Sequence, residues 1–460
     1  MAEMPTEPEL EKRLTRLNQK LGQYIPTRET WTPADEAVYK PTDLLRVPTD
    51  EAQAMQFKAI KYAFTRHYTL SDFYRRYCDK RGVTPDDLKI NDDLDKIPLI
   101  PDVTFKQHPS GEDFAHWIAN IFTGELPTVV IDTPNPTFDD VIDAFNAAGL
   151  EVSYSTGTSG HHSVIPRDKR TFWSFEYAMT KMRLGLFDEL GTDHSLSLFP
   201  RPTQTNLYAG KVMKFQSEIY KDHHFALDFK ISSDLALTAM TGKDRQANAP
   251  QSAREMMRKI FEVSIKWLER YEKTTDTIML FAPPALFFAF LDTLEREGKR
   301  FEFGERGMVL TGGGWKTSEN ERISAEGFRK RVGQILGIPE TGCIDGYWMV
   351  EMNAGFVSCP EGHYYHLPYT SLKPLVLDSS FTPVSFGEWG RFAFLDALAG
   401  SYPGFIITGD QARMLEHCPV CDRPGPVLDQ VIQRAPSEEM RGCAEEVRRV
   451  FEQDFKGSNK

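Results

Sequence analysis

Residues 153–163 read SYSTGTSGHHS, with six small hydroxyl or glycine residues in a row from Ser155 to Gly160. They follow the β-favouring LEVSY and precede the amphipathic TFWSFEYAMTKM, an order that predicts a strand, a hydroxyl-rich loop and a helix. Gly157 and Gly160 would let backbone N–H groups approach anionic oxygens, and the Ser and Thr hydroxyls add neutral donors. A Walker A loop is absent, because His161 and His162 stand where its lysine would be. Taken alone, the stretch reads equally well as a Ser/Gly-rich surface turn.

Outward from the loop, short apolar runs alternate with amphipathic stretches. TVVID (128–132), TIMLF (277–281) and GMVLT (307–311) read as strands. DDVIDAFNAAG, ALFFAFLDTLEREGK and ENERISAEGFRKRVGQILG read as helices. That alternation predicts α/β architecture with a substantially parallel sheet. Ahead of it, Phe57, Ile60 and Phe64 recur at helical spacing, and Pro98 and Pro101 close the helical stretch. We therefore expect a helical N-terminal layer over 1–105, a large core domain over 106–432 and a short C-terminal helical segment over 433–460.

The 460 residues are 40% hydrophobic and 26% charged, ordinary for a globular chain, with a formal net charge of −12. An acidic surface argues against nucleic acid and against an anionic membrane as partners. The acidic N-terminus lacks the apolar core of a secretory signal. The longest apolar run, Ile278 to Leu291, is broken by Pro283 and Pro284 and is shorter than the roughly 20 residues a bilayer requires. A cytoplasmic location is the simplest expectation.

Three later stretches change the reading of the loop. LTGGGWK (310–316) sets Gly312, Gly313 and Gly314 behind a strand, where a flat ring could lie on bare backbone. DGYWMVEMN (345–353) places Glu351 four residues after Tyr347, and ITGD (407–410) ends a strand at Asp410. A solvated loop carboxylate is the commoner fate of either acid taken singly.

In this order the set resembles the core motifs of adenylate-forming enzymes, from about Asp95 to Cys443. Within that superfamily IPLIPDVTFK, STGTSGHHSVIPRD, VLTGGGWK, GHYYHLP, CPVCDRPG and EMRGC are similar to the LuxE-type acyl-protein synthetases, and more distantly to phenylacetate-CoA ligases. The resemblance implies an α/β adenylate-forming fold with a large mixed-sheet core and a truncated C-terminal segment. Too little chain follows Gln433 and Arg434 for the mobile C-terminal domain of larger relatives.

The resemblance also implies roles. Ser155, Thr156, Gly157, Thr158, Ser159 and Gly160 would hold the phosphates of ATP, and Gly312, Gly313 and Gly314 would line its adenine. Tyr347 would stack near the ring, Asp410 would bind the ribose hydroxyls and Glu351 would bind Mg²⁺. These assignments suit their chemistry, since a hard cation takes carboxylate oxygen and a vicinal diol a bidentate acceptor. The implied reaction joins a fatty or aromatic carboxylic acid to AMP with release of pyrophosphate, then transfers the acyl group to a protein thiol. The acceptor would be a reductase or carrier protein. Cys443 would carry the acyl group as a thioester, although Met440, Cys443, Val447, Val450 and Phe451 also share one apolar helical stripe. Phe281, Phe287 and Phe288 are candidates to line the acyl slot, with a plain core role as the alternative.

Cys418 and Cys421 form a C-x-x-C turn resembling half a zinc knuckle, and Cys359, His363 and His366 could supply the other half of a Cys₃His structural zinc. The alternatives are free thiols with a surface histidine pair, or His363 near the substrate pocket. For the chain as a whole two further readings stay open. One is an acyl- or aryl-CoA ligase, the other a non-catalytic nucleotide-binding homologue.

Overall fold

The computed structural model describes residues 4–157, 161–234, 251–313 and 323–435. Its N-terminal third is helical where the apolar spacing predicts it. Helices Glu7–Leu21, Pro33–Tyr39, Thr49–Leu70 and Asp72–Asp79 are followed by short 3₁₀ turns. The first helix starts at a capping box, in which the Glu9 carboxylate accepts from both the backbone N–H and the hydroxyl of Thr6. Buried Gln56, on the third helix, donates to the carbonyls of Tyr369 and Leu372 and so fixes the helical layer to the sheet.

Among the described residues the strands, in chain order, begin with β1 (Ile100–Pro101), β2 (Glu151–Tyr154), β3 (Val164–Arg167), β4 (His194–Pro200) and β5 (Asp222–Leu227). The middle set is β6 (Ile278–Ala282), β7 (Gly307–Gly312), β8 (Cys343–Tyr347), β9 (Phe356–Ser358) and β10 (Tyr365–His366). The last are β11 (Leu372–Leu377), β12 (Trp389–Asp396), β13 (Phe405–Leu415), β14 (Val427–Leu428) and β15 (Gln433–Arg434).

One mixed sheet follows the order β11-β12-β13-β14-β10-β9-β8-β7-β6-β4-β5. The run β5-β4-β6-β7-β8 is parallel, and β9 reverses it. Parallel strands are covered on both faces, which is why β6 reads as the uninterrupted apolar IMLFA and is buried throughout. The crossover helices Pro284–Arg296 and Ala325–Leu336 pack their apolar stripes on one face of it. The latter helix starts at Ser324, whose hydroxyl accepts from Gly327 N–H, and ends at Gly337 in the left-handed region at φ 67°.

Two local expectations are corrected. SYSTGTSGHHS does not lead directly into a helix: β2 and β3 pair antiparallel, Tyr154 opposite Val164, so the stretch closes a hairpin. The β-branched Val164 and Ile165 resume an extended path, and the helix Lys169–Arg183 begins only after Asp168 caps the Thr171 N–H. TVVID forms no strand, because the segment runs over the surface with Val130 63% exposed and pairs with no other strand among the described residues. The C-terminal helical segment expected over 433–460 lies, from residue 436 on, outside the described residues.

Candidate active site

The hairpin loop is held at its neck. Ser155 N–H donates to Ser163 O and Ser163 N–H to Ser155 Oγ, both at 2.9 Å. Buried His162 sets Nδ1 2.6 Å from Ser155 O and lays its ring between Phe138 and Tyr154. Burial lowers the pKa of His162, so its ring is neutral and serves as a buttress of the loop. His161 is exposed. Thr156 and Gly157 follow Ser155 in the chain, with Gly157 at φ 71°, while Thr158, Ser159 and Gly160 lie outside the described residues.

The bare backbone of the glycine strand is already covered. A Cβ on Gly312 would lie 1.8 Å from Trp348, and one on Gly346 would lie 1.9 Å from the same indole. The flat ring that the glycines admit here is therefore Trp348, the residue after Tyr347. Gly313 turns out of β7 at φ 81°, and Gly314 lies outside the described residues.

Sheet register brings the acidic groups together. β1 pairs parallel with β13, Pro101 opposite Ile407, which sets Asp102 beside Thr408–Asp410, with Asp102 Oδ2 3.7 Å from the Cβ position of Gly409. Against expectation ITGD does not end a strand, because pairing with β12 and β15 carries β13 on past Asp410 to Leu415. β15 pairs Arg434 opposite Asp410. Tyr347 donates its phenol to Asp410 Oδ2 at 2.8 Å, and Arg434 Nη1 lies 3.0 Å from Oδ1. Lys106 Nζ bonds Asp102 Oδ2 at 2.9 Å.

Glu351 is 2% exposed, and Ser163 at the base of the loop hydrogen-bonds its carboxylate. Burial pushes the Glu351 carboxyl up, the Lys106 ammonium draws it back, and Asp102 adds to the rise. Burial also opposes the charge on Lys106, yet Asp102 and Glu351 outweigh it and hold the ammonium above the ordinary lysine value. The buried Arg167 fastens the turn carrying Glu351. It donates to Val350 O at 2.5 Å, to Asn353 Oδ1 at 2.6 Å and to Ser153 Oγ at 3.2 Å.

Beneath Trp348 lies a small cavity of about 30 Å³, room for roughly one water. Phe175, Phe199, Phe281 and Leu310 give it an apolar wall, and Glu176 and Gln216 also line it. Of the three phenylalanines expected there, Phe281 lines the cavity. Phe287 is fully buried in the core on the opposite face, and Phe288 packs under the Arg331 guanidinium.

Cys359, His366, Cys418 and Cys421 are all buried and bring their ligand atoms within 4.8 Å of one another. Cys421 Sγ lies 3.3 Å from His366 Nε2. Hydrogen bonds with Cys359 and Cys418 pull the Cys421 thiol far down, and hydrogen bonds with Cys418 and Cys421 push Cys359 up. His363 is outside this quartet and sits in the intervening turn at φ 57°.

A family model described as acyl-protein synthetase, LuxE, matches residues 223–452, half of the chain. The chain belongs to the LuxE acyl-protein synthetase family. The long-chain-fatty-acid–luciferin-component ligase of Vibrio harveyi is 24% identical over 418 residues, which is 89% of this chain and 91% of that protein. The ligase of the same name from Aliivibrio fischeri is 24% identical over 415 residues, 88% and 91% of the two chains. Among solved structures, 2-hydroxyisobutyryl-CoA ligase in an open conformation with 2-HIB-AMP and CoA is similar at a TM-score of 0.58 and 15% identity. The match covers 89% of this chain and 76% of that one. Its postadenylation state matches at 0.58 and 14% identity, over 90% and 74%. At such identity the likeness establishes the fold, that of the adenylate-forming ligases.

This LuxE-family chain is thus a ligase, and its site contains residues that motif reading leaves unassigned. Asp102, Lys106 and Arg434 join Tyr347, Glu351 and Asp410 only through the pairing of β1 and β15 with β13. Their one sequence signal is that IPLIPDVTFK ends in a lysine. Cys443 of this LuxE-family chain lies outside the described residues, and no helix among the described residues is long and apolar enough to cross a membrane.

Proposed function

We propose that this chain uses ATP to activate a carboxylic acid as an acyl-adenylate and then passes the acyl group to a protein thiol. The observation that carries the reading is the convergence of Glu351, Lys106 and Asp102 with the Tyr347–Asp410–Arg434 set beside the hydroxyl-glycine loop. Family membership and the names of the Vibrio harveyi and Aliivibrio fischeri relatives support a fatty acid as substrate and a protein as acceptor.

In the first step a carboxylate oxygen attacks the α-phosphorus of ATP. A new P–O bond forms, the bond to the β-phosphate oxygen breaks, and pyrophosphate leaves with the electron pair. The loop N–H and hydroxyl groups of Ser155–Gly160 receive the phosphates, and Lys106 supplies a cation that the loop lacks. Asp410 receives the ribose diol, and Tyr347 fixes that carboxylate. Glu351 presents the hard oxygen ligand that Mg²⁺ takes, and the metal, when bound, neutralises phosphate charge. In the second step a thiolate attacks the acyl carbon and AMP departs. Cys443 is that nucleophile, with a reductase or carrier protein as the following acceptor.

Intact-mass measurement after incubation with ATP and a panel of acids tests both steps. We expect a hydroxylamine-labile acyl adduct on the wild type that Cys443→Ala lacks, with acid-dependent pyrophosphate exchange retained in that variant. An adduct that survives Cys443→Ala removes the thioester step. Turnover in which CoA alone accepts the acyl group turns the chain into an acyl-CoA ligase.

A further inference from the structure

We infer that Cys359, His366, Cys418 and Cys421 bind one structural zinc ion, and that this clip holds the nucleotide strands β7 and β8 in place. Three sulfurs and one imidazole nitrogen are a zinc donor set. All four residues are less than a tenth exposed, and the C-x-x-C turn faces a second pair from β9–β10. A tetrahedral ion with Zn–S about 2.3 Å and Zn–N about 2.0 Å sets its ligands roughly 3.5–3.8 Å apart. The quartet, already within 4.8 Å, needs only a small contraction. Its four protein ligands leave no open position, so the role is structural.

The surroundings suit the charge of such a site. Zinc with three thiolates and a neutral histidine carries a net negative charge, and the Arg423 guanidinium hydrogen-bonds Cys421 beside it. Arg423 also makes a bidentate pair with Glu361, at 2.8 and 3.1 Å, which joins the same two loops a second time.

The link to the nucleotide strands runs through Asp345. Tyr365, adjacent to the ligand His366, donates to one Asp345 oxygen, and Thr311 donates to the other. Ser358, adjacent to the ligand Cys359, accepts from Asp345 N–H at 2.8 Å. Thr311 and Asp345 immediately precede Gly312 and Gly346, the glycines that carry Trp348.

Elemental analysis of protein purified without chelator tests this: about one zinc per chain is expected. Cobalt exchanged into the wild type should give thiolate charge-transfer and intense visible bands of a tetrahedral S₃N centre. Cys418→Ser should lose the metal and weaken ATP binding about tenfold or more, whereas His366→Cys should retain both. Less than about half an equivalent of zinc in folded wild type, a Cys418–Cys421 disulfide by mass, or octahedral cobalt spectra would each overturn the site. Unchanged ATP affinity in metal-free folded protein would overturn the coupling. The zinc, cobalt and mass readouts are independent of the adenylation reading, whereas the ATP-affinity readout rests on it.

Discussion

The phenol of Tyr347 donates to Asp410 Oδ2 at 2.8 Å, joining the end of β8 to the middle of β13 across 63 residues of sequence. Arg434 holds the other oxygen, so the carboxylate is oriented from both sides. A hydrogen bond to a charged group is worth about 1.5–3 kcal/mol. Tyr347→Phe should therefore raise the KM for ATP about tenfold or more with little change in kcat, as measured by steady-state kinetics. Asp410→Ala should abolish measurable ATP binding by calorimetry.

Lys106 governs the protonation of Glu351. Burial raises the Glu351 carboxyl and the lysine opposes the rise. Because a cation favours the charged form of a neighbouring acid, Lys106→Met should push the Glu351 pKa higher still. The acidic limb of kcat/KM against pH, along which activity rises as Glu351 ionises, should move up by about one unit or more. Lys106→Arg should leave that limb near its original position. A pH profile unmoved by Lys106→Met would separate the two residues functionally.

Arg167 positions Glu351 without occupying the nucleotide site. Its donors satisfy Val350 O, Asn353 Oδ1 and Ser153 Oγ in a fully buried setting. Arg167→Met leaves those acceptors unpaired and should destabilise the fold by roughly 3 kcal/mol or more in urea unfolding. Arg167→Lys should fail to restore it, since one ammonium cannot reproduce the planar fork.

The histidines of the opening loop separate into two roles. If they met phosphate as cations, activity would fall as pH rises through about 6.5. His162 is instead buried, neutral and bonded to Ser155 O. His162→Ala should raise the KM for ATP by loosening the hairpin and leave no change in the alkaline limb, and His161→Ala should be near wild type.

Motifs that are contiguous, TGGG and YWMVE at strand ends and ITGD inside β13, were legible because their chemistry sits in one short stretch. Asp102, Lys106 and Arg434 were not, since nothing local reports that β1 and β15 flank β13. TVVID shows the converse failure, where β-branched residues lack a partner strand. The glycines of β7 signal room for a flat ring on bare backbone, and at Gly312 and Gly346 that room is filled by Trp348 from the chain itself. Cysteine spacing allowed either histidine, and only the fold selects His366 over His363.

The central claim, that Glu351 and its neighbours form an adenylating site, is tested most directly by acid-dependent exchange of labelled pyrophosphate into ATP, with wild type and Glu351→Gln side by side. The account predicts exchange that requires an acid and falls about a hundredfold or more in the variant. Exchange equally fast in Glu351→Gln, or absent from the wild type across the acid panel, would contradict it.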